Sequence, residues 1–299
     1  MGRISYSQLS MFSECPQRWK LNYIDDVTER EPSIHLLFGT AMHEVIQTWL
    51  EVMYHDSVKN ANKLNLEQRL HDKMMELFKQ DKETYDKNPC TLEELREFFQ
   101  DGCDILDFFK KRRGDYFSKK GYELLGIDTA LNYDLPNNLK FKGFIDLIIK
   151  DNIRNRIKII DIKTSSWGWN KYTKADKNKT DQLLLYKSFY AKQFDVPLDR
   201  IDVEYFIVKR KLYENTDFPQ KRVQKFVPAN GKPSINKVLV RLQKFMEECY
   251  DKDGNIIPHD YQKCHPKSKC KSLTTVSYTQ LTLPTKRIVK ISLVAVSLK

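Results

Sequence analysis

Two stretches of sequence decide the fold: Phe141-Lys-Gly-Phe-Ile-Asp-Leu-Ile-Ile-Lys150 and Lys158-Ile-Ile-Asp-Ile-Lys-Thr164. Both are rich in isoleucine and a short polar segment lies between them, so they predict the two strands of a β-hairpin. Because the side chains of a strand alternate between its two faces, Asp161 and Lys163 share one face. Antiparallel pairing of the two strands can place Asp146 beside them.

The three charged residues of this hairpin suit chemistry on a phosphodiester. Two carboxylates among isoleucine and leucine side chains are costly to bury without a cation, and hard oxygen ligands of this kind suit Mg²⁺ or Mn²⁺. Lys163, two residues after Asp161, can hold a water molecule or a phosphate oxygen against such an ion, which is the equipment for metal-assisted hydrolysis. The alternative is an ordinary hairpin with a salt bridge between Lys163 and a carboxylate.

The rest of the chain predicts helices around a sheet. Apolar periodicity and strand-like runs indicate helices at 38–54, 180–193 and 235–250, a helix-rich charged stretch at about 62–118, and further strands at 122–133 and 201–209. This order predicts an α/β fold, with a central mixed β-sheet flanked by helices and a helical insertion at about 50–118. We expect a single domain over residues 1–271.

Composition and charge narrow the class of partner. Among 299 residues, 51 Lys and Arg outnumber 40 Asp and Glu, and the formal net charge of +11 favours nucleic acid over a membrane surface. No apolar run approaches the ~18–20 residues of a membrane span, and the start of the chain lacks an apolar signal-peptide core. We therefore expect a cytoplasmic protein.

The segment 272–299 differs in composition from the rest of the chain. Ser, Thr, Leu and Val dominate it, and it contains four basic residues but no acidic one. We interpret it as a β-prone extension, a translated non-native junction or a cloning remnant, and we exclude it from the fold.

Five stretches occur in an order that is typical of one nuclease superfamily. They are Ser5-Tyr-Ser-Gln-Leu9 with Cys15-Pro16, Trp19 and Tyr23; Phe38-Gly-Thr-Ala-Met-His43-Glu44; Gly143-Phe-Ile-Asp146; Ile160-Asp161-Ile-Lys163-Thr164; and Asp181-Gln182-Leu-Leu-Leu-Tyr186. With these motifs the sequence resembles the PD-(D/E)XK nuclease superfamily over about residues 4–270. The resemblance is to its RecB-like branch in particular, which includes the AddB nuclease domain and CRISPR-associated adaptation exonucleases. It implies a restriction-endonuclease-like core.

The resemblance also implies a divalent metal site. His43, Asp146 and Asp161 would be the side-chain ligands, helped by the backbone carbonyl of Ile162. Lys163 would orient the attacking water and stabilise the charge that develops on the phosphate. For His43 the alternative is an ordinary helix histidine with no metal.

Three more residues are implied to support catalysis. Gln182 and Tyr186 are one helical turn apart and share a face, so they could order Lys163 or the DNA strand. Glu123 precedes the hairpin, where members of the superfamily often carry an acidic residue. The alternatives are that Tyr186 packs while Gln182 caps a backbone group, and that Glu123 is a solvated residue at a strand edge.

Six cysteines stand at positions 15, 90, 103, 249, 264 and 270. Iron–sulfur members of the family carry one cysteine in the N-terminal helix and three near the C-terminus. Cys15, Cys264 and Cys270 match three of these positions, with a Cys-rich C-terminal module at 249–270, but a fourth ligand is not evident. A 4Fe–4S cluster normally needs four thiolates, so the alternatives are His259 or His265 as a substitute ligand, a zinc site, or free thiols.

The resemblance implies a divalent-metal-dependent DNase, most simply an exonuclease on single-stranded DNA or duplex ends in recombination, repair, or phage or CRISPR DNA processing. The alternatives are a non-catalytic DNA-binding subunit with a nuclease fold and a structure-selective endonuclease. No G-x-x-x-x-G-K-[ST] phosphate-binding loop is present, so unwinding would need a helicase or recombination partner.

One loop outside the motifs also suits nucleic acid. Trp167-Gly-Trp169-Asn-Lys-Tyr-Thr-Lys174 follows the second hairpin strand directly, and its interleaved aromatic and basic residues suit base stacking and phosphate contact on a single strand. The run Lys209-Arg-Lys211 could line the same path. The alternative is a charged loop with one tryptophan anchored in the core.

Overall fold

The computed structural model describes residues 2–27, 31–214 and 216–262, which form six strands and ten helices. The strands are β1 (Gly2–Ile4), β2 (Tyr122–Leu135), β3 (Leu139–Asp151), β4 (Arg156–Ser165), β5 (Ile201–Lys209) and β6 (Val223–Phe226). The helices are α1 (Tyr6–Glu14), α2 (Pro16–Tyr23), α3 (Ile34–His55), α4 (Val58–Lys63), α5 (Leu66–Tyr85), α6 (Leu92–Arg112), α7 (Lys171–Ala175), α8 (Lys177–Thr180), α9 (Gln182–Gln193) and α10 (Lys232–Cys249). The predicted α/β fold is confirmed.

The mixed sheet is built around β3. Strand β2 pairs with β3 in antiparallel fashion along nearly its whole length. The opposite edge of β3 is shared, because β1 pairs parallel with its first residues and β4 pairs antiparallel with its last ones. The ladder between β3 and β4 ends at Leu147 and Ile160, so neither β1 nor β4 pairs with residues 142–146. Strand β5 continues the sheet parallel to β4, and β6 closes it antiparallel to β5.

A local turn joins the two strands of the predicted hairpin. The Asp151 carboxylate accepts hydrogen bonds from the backbone N–H groups of Ile153 and Arg154, at 3.0 Å each. Asn155 adopts a left-handed conformation with φ 51°, which asparagine tolerates better than most residues. The turn chemistry thus lies in the polar segment between the apolar runs, and it sets the register of β3 against β4.

Each face of the sheet carries its own layer of helices and its own hydrophobic core. Helices α1, α2, α9 and α10 cover one face, and α3, α5 and α6 cover the other. Strand β5 shows the alternation that serves both layers. Val203, Tyr205 and Ile207 pack in the first core, whereas Phe206 and Val208 pack in the second.

The parallel pair β4–β5 needs a crossover connection, which α7, α8 and α9 provide. Every residue of α9 from Leu183 to Ala191 is buried, including Lys187. The Lys187 ammonium donates a hydrogen bond of 2.8 Å to the side-chain oxygen of Asn230. A helix that is apolar nearly all round is typical of a buried position, so α9 is held firmly against the sheet.

The predicted helical insertion folds back on α3. Helix α6 begins with a capping box, in which Thr91 and Glu94 satisfy each other's backbone N–H groups. Gly102 lets α6 approach α5 closely, because a β-carbon there would lie 2.4 Å from Cδ2 of Leu70. None of the helices in the described part of the chain is long and apolar enough to cross a bilayer.

The two ends of the described chain meet around Trp19. This fully buried ring makes edge-to-face contacts with Phe12, Phe245, Tyr250 and Tyr261, at centroid distances of 5.2–6.2 Å. The cluster therefore joins the N-terminal helices to α10 and to the segment that follows it. Aromatic pairs of this geometry stabilise beyond the area they bury.

We expect Trp19→Ala to lower the free energy of unfolding by about 3–5 kcal/mol, because it leaves a cavity in place of a fully buried ring. Leu36→Ala, which truncates a side chain 70% exposed on α3, should change it by less than ~0.5 kcal/mol. Urea denaturation followed by circular dichroism gives both values. Equal midpoints for the parent and both variants would show that the aromatic cluster adds no stability.

Candidate active site

The predicted carboxylates lie where β3 and β4 separate. Asp146 and Asp161 are adjacent to the last pair of the ladder, Leu147 and Ile160, so the backbone N–H of Ile162 has no backbone partner on β3. The Asp146 carboxylate takes that place and accepts this N–H through Oδ2 at 2.7 Å. The fork in the sheet thus fixes one carboxylate against the backbone of the neighbouring strand.

The side chains of Asp161 and Lys163 lie on the same face of β4, as their spacing predicts. Lys163 Nζ lies 2.7 Å from Asp161 Oδ2, in a carboxylate that is only 2% exposed. The two atoms form a short ion pair, so the lysine ammonium partners this buried oxygen. A buried carboxylate is costly without a cation beside it, and here the Lys163 ammonium takes that position.

Helix α3 brings His43 to the same point. Gly39, one turn earlier, allows the helix to approach β4, because a β-carbon there would lie 3.0 Å from Oγ1 of Thr164. His43 Nδ1 consequently lies 3.6 Å from Asp146 Oδ2, and the Ile162 backbone also contacts the ring. Burial lowers the pKa of His43, so its imidazole is neutral at pH 7 and can act as a ligand.

Helix α9 supplies the residues that hold Lys163 from the other side. Gln182 Oε1 accepts a hydrogen bond from Lys163 Nζ at 3.3 Å, and Gln182 Nε2 donates one to the Tyr186 hydroxyl at 3.0 Å. Gly143 on β3 makes room for the Tyr186 ring, because a β-carbon there would lie 2.8 Å from Cε1. The glycine of the Gly143–Asp146 motif is therefore required by the close packing of the Tyr186 ring and not by a turn of the backbone.

Two residues that the sequence analysis did not identify complete the cluster. Gln47, one turn after His43 on α3, donates from Nε2 to Asp128 Oδ1 at 2.8 Å and to the backbone oxygen of Asp146 at 3.0 Å. The i, i+4 spacing from His43 is the signal that could have found it. Asp128, on β2, acts electrostatically on both His43 and Asp146.

Glu123 is not brought to this cluster. It is exposed on β2 and pairs across from Lys150, which lies four residues beyond Asp146 on β3. Four residues of strand span about 13 Å. The acidic side chain that β2 places beside the carboxylates is Asp128.

The cluster carries more negative than positive charge. Burial and the neighbouring Asp161 raise the pKa of Asp146 well above its usual range, although Lys163 and the Ile162 N–H act against this. Burial opposes the charge of Lys163, but Asp161 and Asp146 outweigh it and raise its pKa. Burial and the charge of Asp161 thus disfavour ionisation of Asp146, and a cation bound beside the two carboxylates would favour it.

The donor set fits a hard divalent cation in its chemistry, with carboxylate oxygens, a neutral imidazole and a backbone carbonyl. In the described structure, however, no three His, Cys, Asp or Glu side chains are already arranged as a metal-ion site.

Comparison with known proteins supplies the family. A model of the PD-(D/E)XK nuclease superfamily matches residues 3–272. The chain belongs to this superfamily. Its restriction-endonuclease-like core is confirmed with it, and PD-(D/E)XK nucleases generally use divalent metal ions.

A search of curated proteins finds no match for this PD-(D/E)XK chain. Among solved structures, it is similar to the crystal structure of a "Putative exonuclease" from Eubacterium rectale. The two are 14% identical with a TM-score of 0.49, over 94% of this chain and 92% of that chain.

Only one of the three cysteines implied to bind a cluster lies among the described residues. Cys15 is buried at the junction of α1 and α2. The end of the described chain comes close to it, because the backbone N–H of Gln17 donates to the carbonyl of Gln262 at 3.2 Å. Cys264 and Cys270 lie outside the described residues, as does His265.

His259, the other histidine that could replace the missing cluster ligand, contacts Tyr261 and Glu248. Its ring stacks on Tyr261 at a centroid distance of 3.9 Å, and its Nε2 lies 3.1 Å from the carbonyl oxygen of Glu248. These contacts anchor the segment after α10.

We expect Gly143→Ala to destabilise the protein by about 1–3 kcal/mol, because the added methyl overlaps the Tyr186 ring. Tyr186→Leu should remove the overlap, so the cost of Gly143→Ala should be smaller in that background than in the parent. A double-mutant cycle by urea denaturation measures the difference. Strictly additive costs would contradict the packing of Tyr186 against Gly143.

Proposed function

We propose that the chain is a divalent-metal-dependent deoxyribonuclease that hydrolyses phosphodiester bonds. The observation that carries the proposal is the setting of Lys163. Its ammonium is held between Asp161 at 2.7 Å and Gln182 at 3.3 Å, beside a second buried carboxylate and a neutral histidine. A structural salt bridge needs one carboxylate, whereas the charges of two buried carboxylates, Asp161 and Asp146, both act on this lysine.

Asp146, Asp161, His43 and the carbonyl of Ile162 would hold Mg²⁺ or Mn²⁺. The bound ion would supply charge stabilisation and a water activated for attack. Lys163 orients the oxygen of that water toward phosphorus and donates hydrogen bonds to the phosphate oxygens as negative charge builds on them. Gln182, itself fixed by the Tyr186 hydroxyl, keeps the lysine ammonium at this position.

Within this proposal we favour an exonuclease on single-stranded DNA or duplex ends, acting in the cytoplasm in recombination, repair, or phage or CRISPR DNA processing. The RecB-like motif order supports this mode, and the basic net charge of +11 supports a DNA substrate. Duplex unwinding would come from a helicase or recombination partner, since the sequence lacks a phosphate-binding loop.

The test uses end-labelled linear DNA and closed circular DNA, each with Mg²⁺, Mn²⁺ or EDTA. We expect metal-dependent loss of the linear substrate to mononucleotides or short oligomers. Lys163→Ala should lower the rate at least about 100-fold, because it removes a donor to the charge that develops on the phosphate. DNA affinity should change little.

Lys158→Ala is the matched control for Lys163→Ala. Lys158 is on the same strand and pairs with Glu204 at 3.4 Å, but it lies five residues from Lys163, about 16 Å along the strand. Its removal should leave the rate within about twofold. Nicking of closed circles would indicate the structure-selective endonuclease, and binding without cleavage in either metal would indicate a non-catalytic DNA-binding subunit.

We also propose that an iron–sulfur cluster of the 4Fe–4S type joins the two ends of the chain, with Cys15, Cys264 and Cys270 among its ligands. The hydrogen bond between Gln17 and Gln262 supports this, because these residues are each two positions from a cysteine of the set. Protein purified without oxygen should contain iron and sulfide and absorb visible light.

Cys15→Ala should lose the iron, the sulfide and the absorbance together, whereas Cys103→Ala, half-buried on α6, should keep all three. Iron-free, colourless parent protein would contradict the cluster. Stoichiometric zinc in its place would favour the zinc alternative.

A further inference from the structure

Two loops begin at the carboxyl ends of β4 and β5, close to Lys163 near the end of β4. Strands β4 and β5 are parallel and end level with each other, at Ser165 and Lys209. Their pairing continues briefly, because the N–H groups of Arg210 and Lys211 donate to the carbonyls of Ser165 and Ser166 at 2.8 and 2.7 Å. Crevices outside the carboxyl ends of parallel strands are common ligand sites in α/β folds.

An exposed aromatic stack stands where the two loops meet. The rings of Trp167 and Tyr213 are nearly parallel, with centroids 5.0 Å apart and an interplanar angle of 25°. They are 50% and 62% exposed. The neighbouring Trp169 differs, because it packs on Tyr205 at 4.8 Å and belongs to the first core. The loop thus anchors one tryptophan and presents the other to solvent.

The backbone under the stack is fixed by side chains. On the β4 loop, Ser165 Oγ accepts from the N–H of Gly168, and Gln224 holds the N–H and carbonyl of Trp169. On the β5 loop, Gln220 accepts from the N–H of Tyr213 and donates to its carbonyl. Gln224 on β6 thus fixes the β4 loop, and Gln220 fixes the β5 loop from within it, so the rings are presented in a preorganised position.

The charges next to the stack are already paired. Arg210 lies 2.6 Å from Asp101, and Lys211 lies 2.7 Å from Glu97, both on α6. These ion pairs hold the β5 loop against α6. What the stack offers a nucleic acid is a pair of aromatic faces.

We propose that the Trp167–Tyr213 stack binds the unpaired bases of the DNA strand being cut, close to the scissile phosphate. This inference rests on the proposed nuclease function and specifies its substrate as single-stranded DNA. Trp167 is four residues from Lys163, hence at most about 14 Å along the chain, which corresponds to about four stacked nucleotides or fewer. Paired bases bury their faces in the duplex, whereas unpaired bases can stack on aromatic rings.

The test measures the binding of a dT oligomer of about 12 nucleotides and of an abasic oligomer of the same length, by fluorescence anisotropy. The Lys163→Ala background with Mg²⁺ keeps both oligomers intact. Replacing both Trp167 and Tyr213 by alanine should weaken the binding of the dT oligomer about 5- to 100-fold. It should leave the abasic oligomer within about twofold, since only the former has bases to stack.

Two further variants separate stacking from a general effect on the loops. Phe218→Ala, which truncates a ring 68% exposed in the same β5–β6 connection, should change neither affinity. Replacing Trp167 and Tyr213 by phenylalanine should restore most of the dT affinity, because the aromatic faces return. Unchanged dT affinity in the alanine variant, or an equal loss for both oligomers, would overturn the inference.

The binding measurements and the cleavage assay of the parent protein together distinguish this inference from the nuclease proposal. Base-dependent binding by the stack, with no cleavage of linear DNA by the parent protein, would overturn the nuclease and leave the stack as a single-strand binding site. Cleavage by the parent, with no loss of dT affinity on removal of both rings, would support the nuclease and overturn the role of the stack.

Discussion

The structure depends on one constraint, the separation of β3 and β4 after the pair Leu147–Ile160. Separation of paired strands leaves backbone groups without partners, which is costly inside a protein. The Asp146 carboxylate compensates for it by accepting the Ile162 N–H at 2.7 Å. The carboxylate that satisfies this N–H is therefore also one of those proposed to bind the metal ion. The hydrogen bond to the backbone of β4 fixes its position.

Both helix layers deliver side chains to this fork, and each does so through a glycine. Gly39 brings α3 against Thr164 and positions His43, while Gly143 admits the Tyr186 ring from α9. The site therefore lies between two hydrophobic cores, one on each face of the sheet. Small shifts of either layer would change the distances at Lys163, because packed interiors transmit strain.

The sequence predicted the parts of this arrangement that are set locally. The apolar runs gave the hairpin strands to within two residues, and the spacing of Asp161 and Lys163 placed them on one face of β4. The roles of these residues in catalysis stay predictions. Strands β1 and β6 have only three and four residues, too few for a periodic pattern, and were not predicted.

Side-chain contacts between residues far apart in the chain could not be predicted from the sequence. Nothing local indicates that Gln47 bridges to Asp128, 81 positions away, or that Glu123 lies apart from the carboxylates. Nor does anything local indicate that Arg210 and Lys211 pair with Glu97 and Asp101, more than 100 positions earlier in the chain. Charge runs are often neutralised by partners that only the fold reveals.

The meeting of the two ends around Trp19 has a consequence for how the protein is made. Helices α1 and α2 leave the ribosome well before one of the rings that enclose Trp19, that of Tyr261, which is about 240 residues later. At ~5–20 residues per second, the N-terminal segment waits about 12–50 s for that partner. During that interval the apolar faces of α1 and α2 lack their partner from the other end of the described chain, so they are exposed to aggregation.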